Sequence, residues 1–169
     1  MAATLTSTLS LAISATLAEA LDLSDRSNPT NYRKSWSLAS GTGANQADKI
    51  FHDQRTLAAS ATEDLDLAGV LTDVFGAALT FARIKAVLIH ALPTNTNNVN
   101  VTRPATNGVP LFLAAGDGIP VRPGGAFCWI SPDATGVAVT AGTGDLLTLT
   151  NSGAGTSVVY DVIIIGASA

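Results

Sequence analysis

"GIPVRPGGAFCWISPDATGVAVTAGTGDLLTLTNSGAGTSVVYDVIIIGAS", residues 118–168, holds short apolar runs divided by turn signals. The runs are "IPV", "AFCWI", "VAVTA", "LLTLT" and "SVVYDVIII". Between them stand Pro123-Gly124-Gly125, Pro132 to Gly136, Gly142 to Asp145, and Asn151 to Gly155. β-Branched residues in runs this short, punctuated this regularly, predict antiparallel strands in a sandwich or barrel. Alternation places Val139, Leu147, Leu149, Tyr160, Val162 and Ile164 in the core, with either Phe127 or Cys128. An apolar run favours a buried thiol at Cys128.

Upstream, the same period of two runs through residues 4–14. Leu5, Leu9, Leu11 and Ile13 fall on odd positions, and Thr and Ser fill most even ones. A strand with one buried face follows, with Leu9 and Leu11 in the core. "DLSDRSNPTNY", with Pro29 and several Asx and Ser residues, reads as a loop. "RKSWSLA" reads as a strand carrying Trp36 and Leu38. Strands are also expected at "KIFHDQRTLAAS" and "ATEDLDLAG". Leu71, Val74, Phe75, Ala78, Leu79 and Ala82 match a helical face, but Gly76 disfavours one long helix. A short helical turn at 70–75 and a strand at about 79–91 are the resulting expectations. "PTNTNNVNVTRPATNG" is a polar loop with a short strand at 98–102. The expected fold is all-β, an antiparallel β-sandwich with at most a short helix. It forms one domain over 1–169, with the N-terminal segment 1–24 as a strand or arm.

Composition narrows the function classes. Of 169 residues, 13 % are charged, about half the usual share, and the net charge is −4. Lys and Arg form no run longer than Arg33-Lys34, so no basic patch for nucleic acid is expected. No apolar run has the length of a membrane span. The N-terminal stretch lacks the positively charged start of a signal peptide. Neutral Thr, Ser and Asn dominate the polar surface, and such groups cost less to desolvate than ions when surfaces meet.

Chemistry-bearing patterns are few. "GTGANQADKIFHD", residues 41–53, resembles a phosphate loop only superficially: Lys49 follows no glycine, and no third glycine opens a helix. Gly41 and Gly43 read as turn residues leading into a strand. His52 with Asp48 and Asp53 is the nearest approach to a transition-metal set, yet the chain holds only His52 and His90. Glu63, Asp64 and Asp66 could offer oxygen ligands to calcium. Their alternation with Leu65 and Leu67 also describes a solvated strand face. Cys128 has no sequence-adjacent base, and a single cysteine excludes an internal disulfide. Trp36 and Trp129 could stack on sugars, but alternation favours packing. No catalytic, cofactor or metal residues are assigned, and a non-enzymatic protein without cofactor is expected.

The whole chain resembles a group of tailed-bacteriophage virion proteins. The resemblance rests on "ALDLSD" (20–25), "LASGTGANQADKIFHDQRTLAASATEDLDLAG" (38–69), "VRPGG" (121–125) and "GDLLTLTNSGAGTSVVYDVIIIG" (144–166). The second stretch is the most specific of these. The resemblance implies a small jelly-roll-like structural protein, and within the group it favours head decoration, also called cement. Such proteins sit as homotrimers on the outer surface of the capsid and tie neighbouring copies of the major capsid protein together. The alternatives are a tail-fibre or host-recognition module, a head–tail connector or tail structural protein, and a β-sandwich enzyme. Nucleic acid and membrane are not expected partners. The N-terminal strand is the candidate for the shell contact or for exchange between subunits.

Overall fold

A computed structural model describes residues 4–169. Eleven β-strands run through it, with no helix among the described residues. The first two, β1 (Ser7–Ala20) and β2 (Asp25–Leu38), form a hairpin of their own. The remaining strands build two antiparallel sheets. One sheet runs β4 (Thr62–Asp66), β10 (Leu146–Asn151), β6 (Val99–Thr102), β7 (Gly118–Val121). The other runs β3 (Lys49–Leu57), β11 (Val158–Ala167), β5 (Arg83–Ala91), β8 (Ala126–Ile130), and the two-residue β9 (Val137–Ala138) also pairs with β5. The chain changes sheet at β3–β4, β4–β5, β5–β6, β7–β8, β9–β10 and β10–β11, which is the winding of a jelly roll. The all-β sandwich expected from the sequence is the observed fold.

Alternation explains which side chains meet between the sheets. Val158, Tyr160, Val162 and Ile164 of β11 are fully buried, as are Leu147 and Leu149 of β10 and Val99 and Val101 of β6. On β8 the parity resolves in favour of Phe127. Phe127 lies opposite Ile89 and Trp129 opposite Val87, so both face the core, whereas Cys128 faces outward and is exposed. The expectation of a buried thiol is therefore corrected.

A buried tyrosine between the sheets is held in a polar network. Tyr160 Oη donates to Glu63 Oε1 across the two sheets, and Arg55 Nη1 donates to Glu63 Oε2 at 2.9 Å. Arg55 Nε stands 3.1 Å from Asp53 Oδ2, and the guanidinium lies 5.6 Å from the centre of the Phe51 ring. Burial and the Glu63 carboxylate together hold the Tyr160 phenol far above its ordinary range, so it remains a hydrogen-bond donor. The Asn-rich loop is ordered by its amides. Asn95 exchanges two hydrogen bonds with the backbone of Val159, and Asn151 Nδ2 donates to the carbonyls of Ala58 and Thr156.

Two local expectations fail. Residues 70–75 form no helical turn. Leu71 and Leu79, spaced as on a helix, instead pair back on one another: Leu79 N donates to the Leu71 carbonyl at 2.8 Å, and Thr72 bridges Ala78. Asp73 Oδ1 accepts from the amides of Phe75 and Ala77, closing the turn between them. The following strand begins at Arg83 rather than near 79.

The larger correction is β2. The segment 22–32 reads as a loop by composition, yet only residues 21–24 turn, and Asp25 to Leu38 pair residue for residue with β1. Pro29 is tolerated because a two-stranded ribbon has only edge strands, where a missing N–H breaks no interior ladder. Thr16 is its partner.

A β-bulge opens at Ile165/Gly166, where Lys85 becomes the unpaired residue of β5. Lys85 is buried, its ammonium donates to the Asp133 carbonyl, and burial lowers its pKa while Asp133 partly offsets that. Gly136, at φ 57°, lets the 131–136 loop close over this point, since a Cβ there would stand 2.4 Å from the Ile84 carbonyl oxygen. Asp133 itself is fully exposed. The Ser131 hydroxyl, then the Gly136 and Thr135 amides, donate to its carboxylate and hold its pKa down from 3.8 to about 2. A depressed carboxylate stabilises the fold fully above its unfolded pKa and loses that contribution as pH falls through its folded pKa. Acid titration of thermal stability should therefore show a component between pH 3.8 and about 2 that Asp133→Asn diminishes.

Candidate functional site

The patterns singled out for chemistry do not converge. Residues 39–47 form a turn closed by backbone bonds between Ala39 and Asn45 and between Ala47 and Ala39. Gln46 Oε1 accepts the Gly43 amide at 2.9 Å. Gly41, at φ 142°, leaves room for that Gln46 side chain, which a Cβ would meet at 2.6 Å. The stretch is thus a turn running into β3. His52 is exposed on the outer face of its sheet, and Asp53 points to the opposite side toward Arg55. Asp48 is occupied at the C-terminus, where it accepts from the Ser168 amide at 2.8 Å.

Glu63, Asp64 and Asp66 diverge as well. Glu63 turns inward to Tyr160 and Arg55, Asp64 accepts from the Thr148 hydroxyl, and Asp66 accepts the Ala68 amide. Among the described residues no three His, Cys, Asp or Glu side chains gather as a metal set. His90 Nδ1 lies 3.0 Å from Asp161 Oδ2, and Gln54 Nε2 donates to Asp161 Oδ1 at 2.8 Å. His90 and then Gln54 hold the Asp161 carboxyl below its ordinary range, so the row is a hydrogen-bonded surface ladder built on that carboxylate.

What stands out instead is the β1–β2 hairpin. Fourteen residues per strand extend roughly 48 Å at about 3.4 Å per residue. Directly opposed residues share a face. On one side β1 is apolar from Leu9 through Leu11, Ile13 and Ala15 to Leu17, and β2 adds Trp36 and Tyr32 among Lys34, Thr30 and Asn28. The other side is polar: Ser10 bonds Ser35 at 3.1 Å, and Ser14 donates to Asn31 at 2.9 Å.

Only the root of this arm is packed. Leu38, Ala47, Ala86 and Ile165 form a small second core on the outer face of the β3–β11–β5–β8 sheet, with Leu5, Leu9 and Ile50 against it. Asn45 N donates to the Pro132 carbonyl at 2.7 Å, tying the root to the loop beyond β8. Beyond the root the arm leaves the body. Leu11 is 47 % exposed, contrary to its expected burial, Ile13 is 52 % and Leu17 78 %. Beside the root an apolar cleft of about 510 Å³ stays open, bounded by Leu9, Leu11 and Trp36 of the arm and by Leu88, Cys128 and Ile163 of the sheet.

Fold and site together define a class: a jelly-roll body that holds out a rigidly rooted, amphipathic β-hairpin. No family model matches the chain, and neither a search of curated proteins nor one of solved structures finds a match.

Proposed function

We propose that the protein is a non-enzymatic virion structural protein that decorates and stabilises the outside of a phage capsid as a homotrimer. The observation that carries this reading is the arm. A two-stranded ribbon is marginally stable in water by itself, and this one presents Leu11, Ile13, Leu17 and Tyr32 to solvent on one face. Such a surface is made for contact with another molecule. The resemblance to tailed-phage virion proteins supplies the setting, and the sparse charge suits a protein whose surface meets neighbours.

The mechanism is linkage. A protein that binds the mature lattice and not its precursor lowers the free energy of the mature form. Each chain needs only a modest contact, because threefold association multiplies it through effective concentration. The jelly roll resists deformation, and the arm reaches roughly 48 Å from its root if fully extended, enough to touch a neighbouring subunit. Immunogold labelling of intact particles tests the assignment: label on heads is the expected result, and label confined to tails would overturn it.

A further inference from the structure

We propose that the apolar face of the arm seats on the outer sheet face of a second copy of this chain, over Leu88, Cys128 and Ile163. The proposal deepens the trimer reading above and rests on the arm being that reading's contact element. Three observations select a second copy as the occupant.

The first is complementarity of surface. On the outer face of the sheet, Ile50, Ile165, Ala86 and Ile130 form the row nearest the root. The chain's own Leu9 and Leu38 cluster with that row. In the next row His52, Ile163, Leu88 and Cys128 lie side by side, with Ile163 and Leu88 half-buried, Cys128 exposed and His52 exposed at the β3 edge. The same molecule therefore carries an uncovered apolar ribbon and an uncovered apolar floor. Its own ribbon borders that floor only at the root, through Leu9, Leu11 and Trp36, and leads away beyond it, so the cleft stays open to another copy's ribbon.

The second is charge. The hairpin holds Arg26, Arg33 and Lys34 against Glu19, Asp22 and Asp25, so the net −4 of the chain lies outside it. Its acids cluster near the tip, which leaves Arg33 and Lys34 as a basic shaft. Lys34 sits on the apolar face opposite Leu11. The floor is bordered by the row of Gln54, Asp161 and His90, and Asp161 stays ionised there. A lysine carried over the floor by an incoming arm finds that carboxylate at its edge.

The third is area. Beyond the packed root, the ten residues from Leu11 to Ala20 make a free ribbon face of roughly 34 Å by about 10 Å, or about 340 Å². A copy that gives one arm and receives another thus covers about 680 Å², of the order of the ~800 Å² per partner of a stable interface. Arm-into-floor contact is heterologous, so it closes into a ring where the rotation allows, as a trimer requires.

The test is complementation, read by size-exclusion chromatography with light scattering. The full chain should be oligomeric at micromolar concentration. Ile13→Glu with Leu17→Glu spoils the arm, and Leu88→Glu spoils the floor. Cys128→Glu is the second floor variant should Leu88→Glu fail to fold by circular dichroism. Each should weaken association about a hundredfold or more, because a carboxylate would be buried unpaired. Mixing arm and floor variants should restore a heterodimer, since one good arm then meets one good floor.

Monomeric full-length protein, an oligomer indifferent to these changes, or a mixture that stays monomeric would each overturn the proposal. If the monomer nevertheless labels heads, the decoration reading survives and the arm's partner is the shell. If the copies associate through arm and floor but never label heads, the decoration reading fails and this inference stands.

Discussion

Ile164→Ala and Leu149→Ala should each lower the stability of the body by about 2–5 kcal/mol, the usual cost of emptying a packed aliphatic site. Both side chains are fully buried between the two sheets. At about 2–4 °C per kcal/mol for a domain near this size, a fall in melting temperature on the order of 10 °C is expected. Leu17→Ala is the control. It removes the same methyl groups as Leu149→Ala, but from a side chain that is 78 % exposed on the arm. In dilute solution its effect should stay within about 0.5 kcal/mol. Denaturant titration of the three variants measures the contrast. Equal losses at Leu17 and Leu149 would mean that the arm is folded onto the body rather than held away from it.

That contrast also marks where the sequence can be read and where it cannot. The C-terminal third is legible because β10 and β11 each bury one face, so a period of two appears in the residues and the turns fall between. Tyr160, Val162 and Ile164 follow directly from it. Leu9 and Leu11 carry the same alternation, yet Leu11 is exposed. Alternation reports that one face is apolar, not that anything within the chain covers it.

β2 is hidden for the complementary reason. Its residues Asn28, Pro29, Thr30 and Asn31 meet solvent, and its strand conformation is imposed by pairing with β1, which composition does not record. The stretch 71–79 misleads because Leu71 and Leu79 are brought together by a turn rather than by a helix. At β8 the parity of Phe127 against Cys128 is set by the partner strand, and both residues are apolar enough to fit either side.

The candidate site divides in the same way. The turn character of residues 41–47 is legible from Gly41 and Gly43, and the exposed position of His52 from the absence of clustered histidines. The apolar face of β1 is legible too. The cleft beside it is not, because its floor is assembled from β5, β8 and β11, whose adjacency belongs to the jelly-roll winding.

The central claim is that the body is a scaffold and the arm is the working part. Excising residues 10–35 and joining Leu9 to Trp36 through an Asn-Gly turn tests it, since these two residues already face one another and a two-residue type I′ turn suits such a pair. The small core at the root, with Leu38, Ala47, Ala86 and Ile165, would remain intact. The measurement is occupancy of purified undecorated heads by the excised and full-length proteins at equal concentration, after thermal melting has shown the excised body to be folded. The account predicts a melting temperature close to that of the full chain and loss of nearly all head binding. A folded, excised body that still loads heads to full occupancy would contradict it.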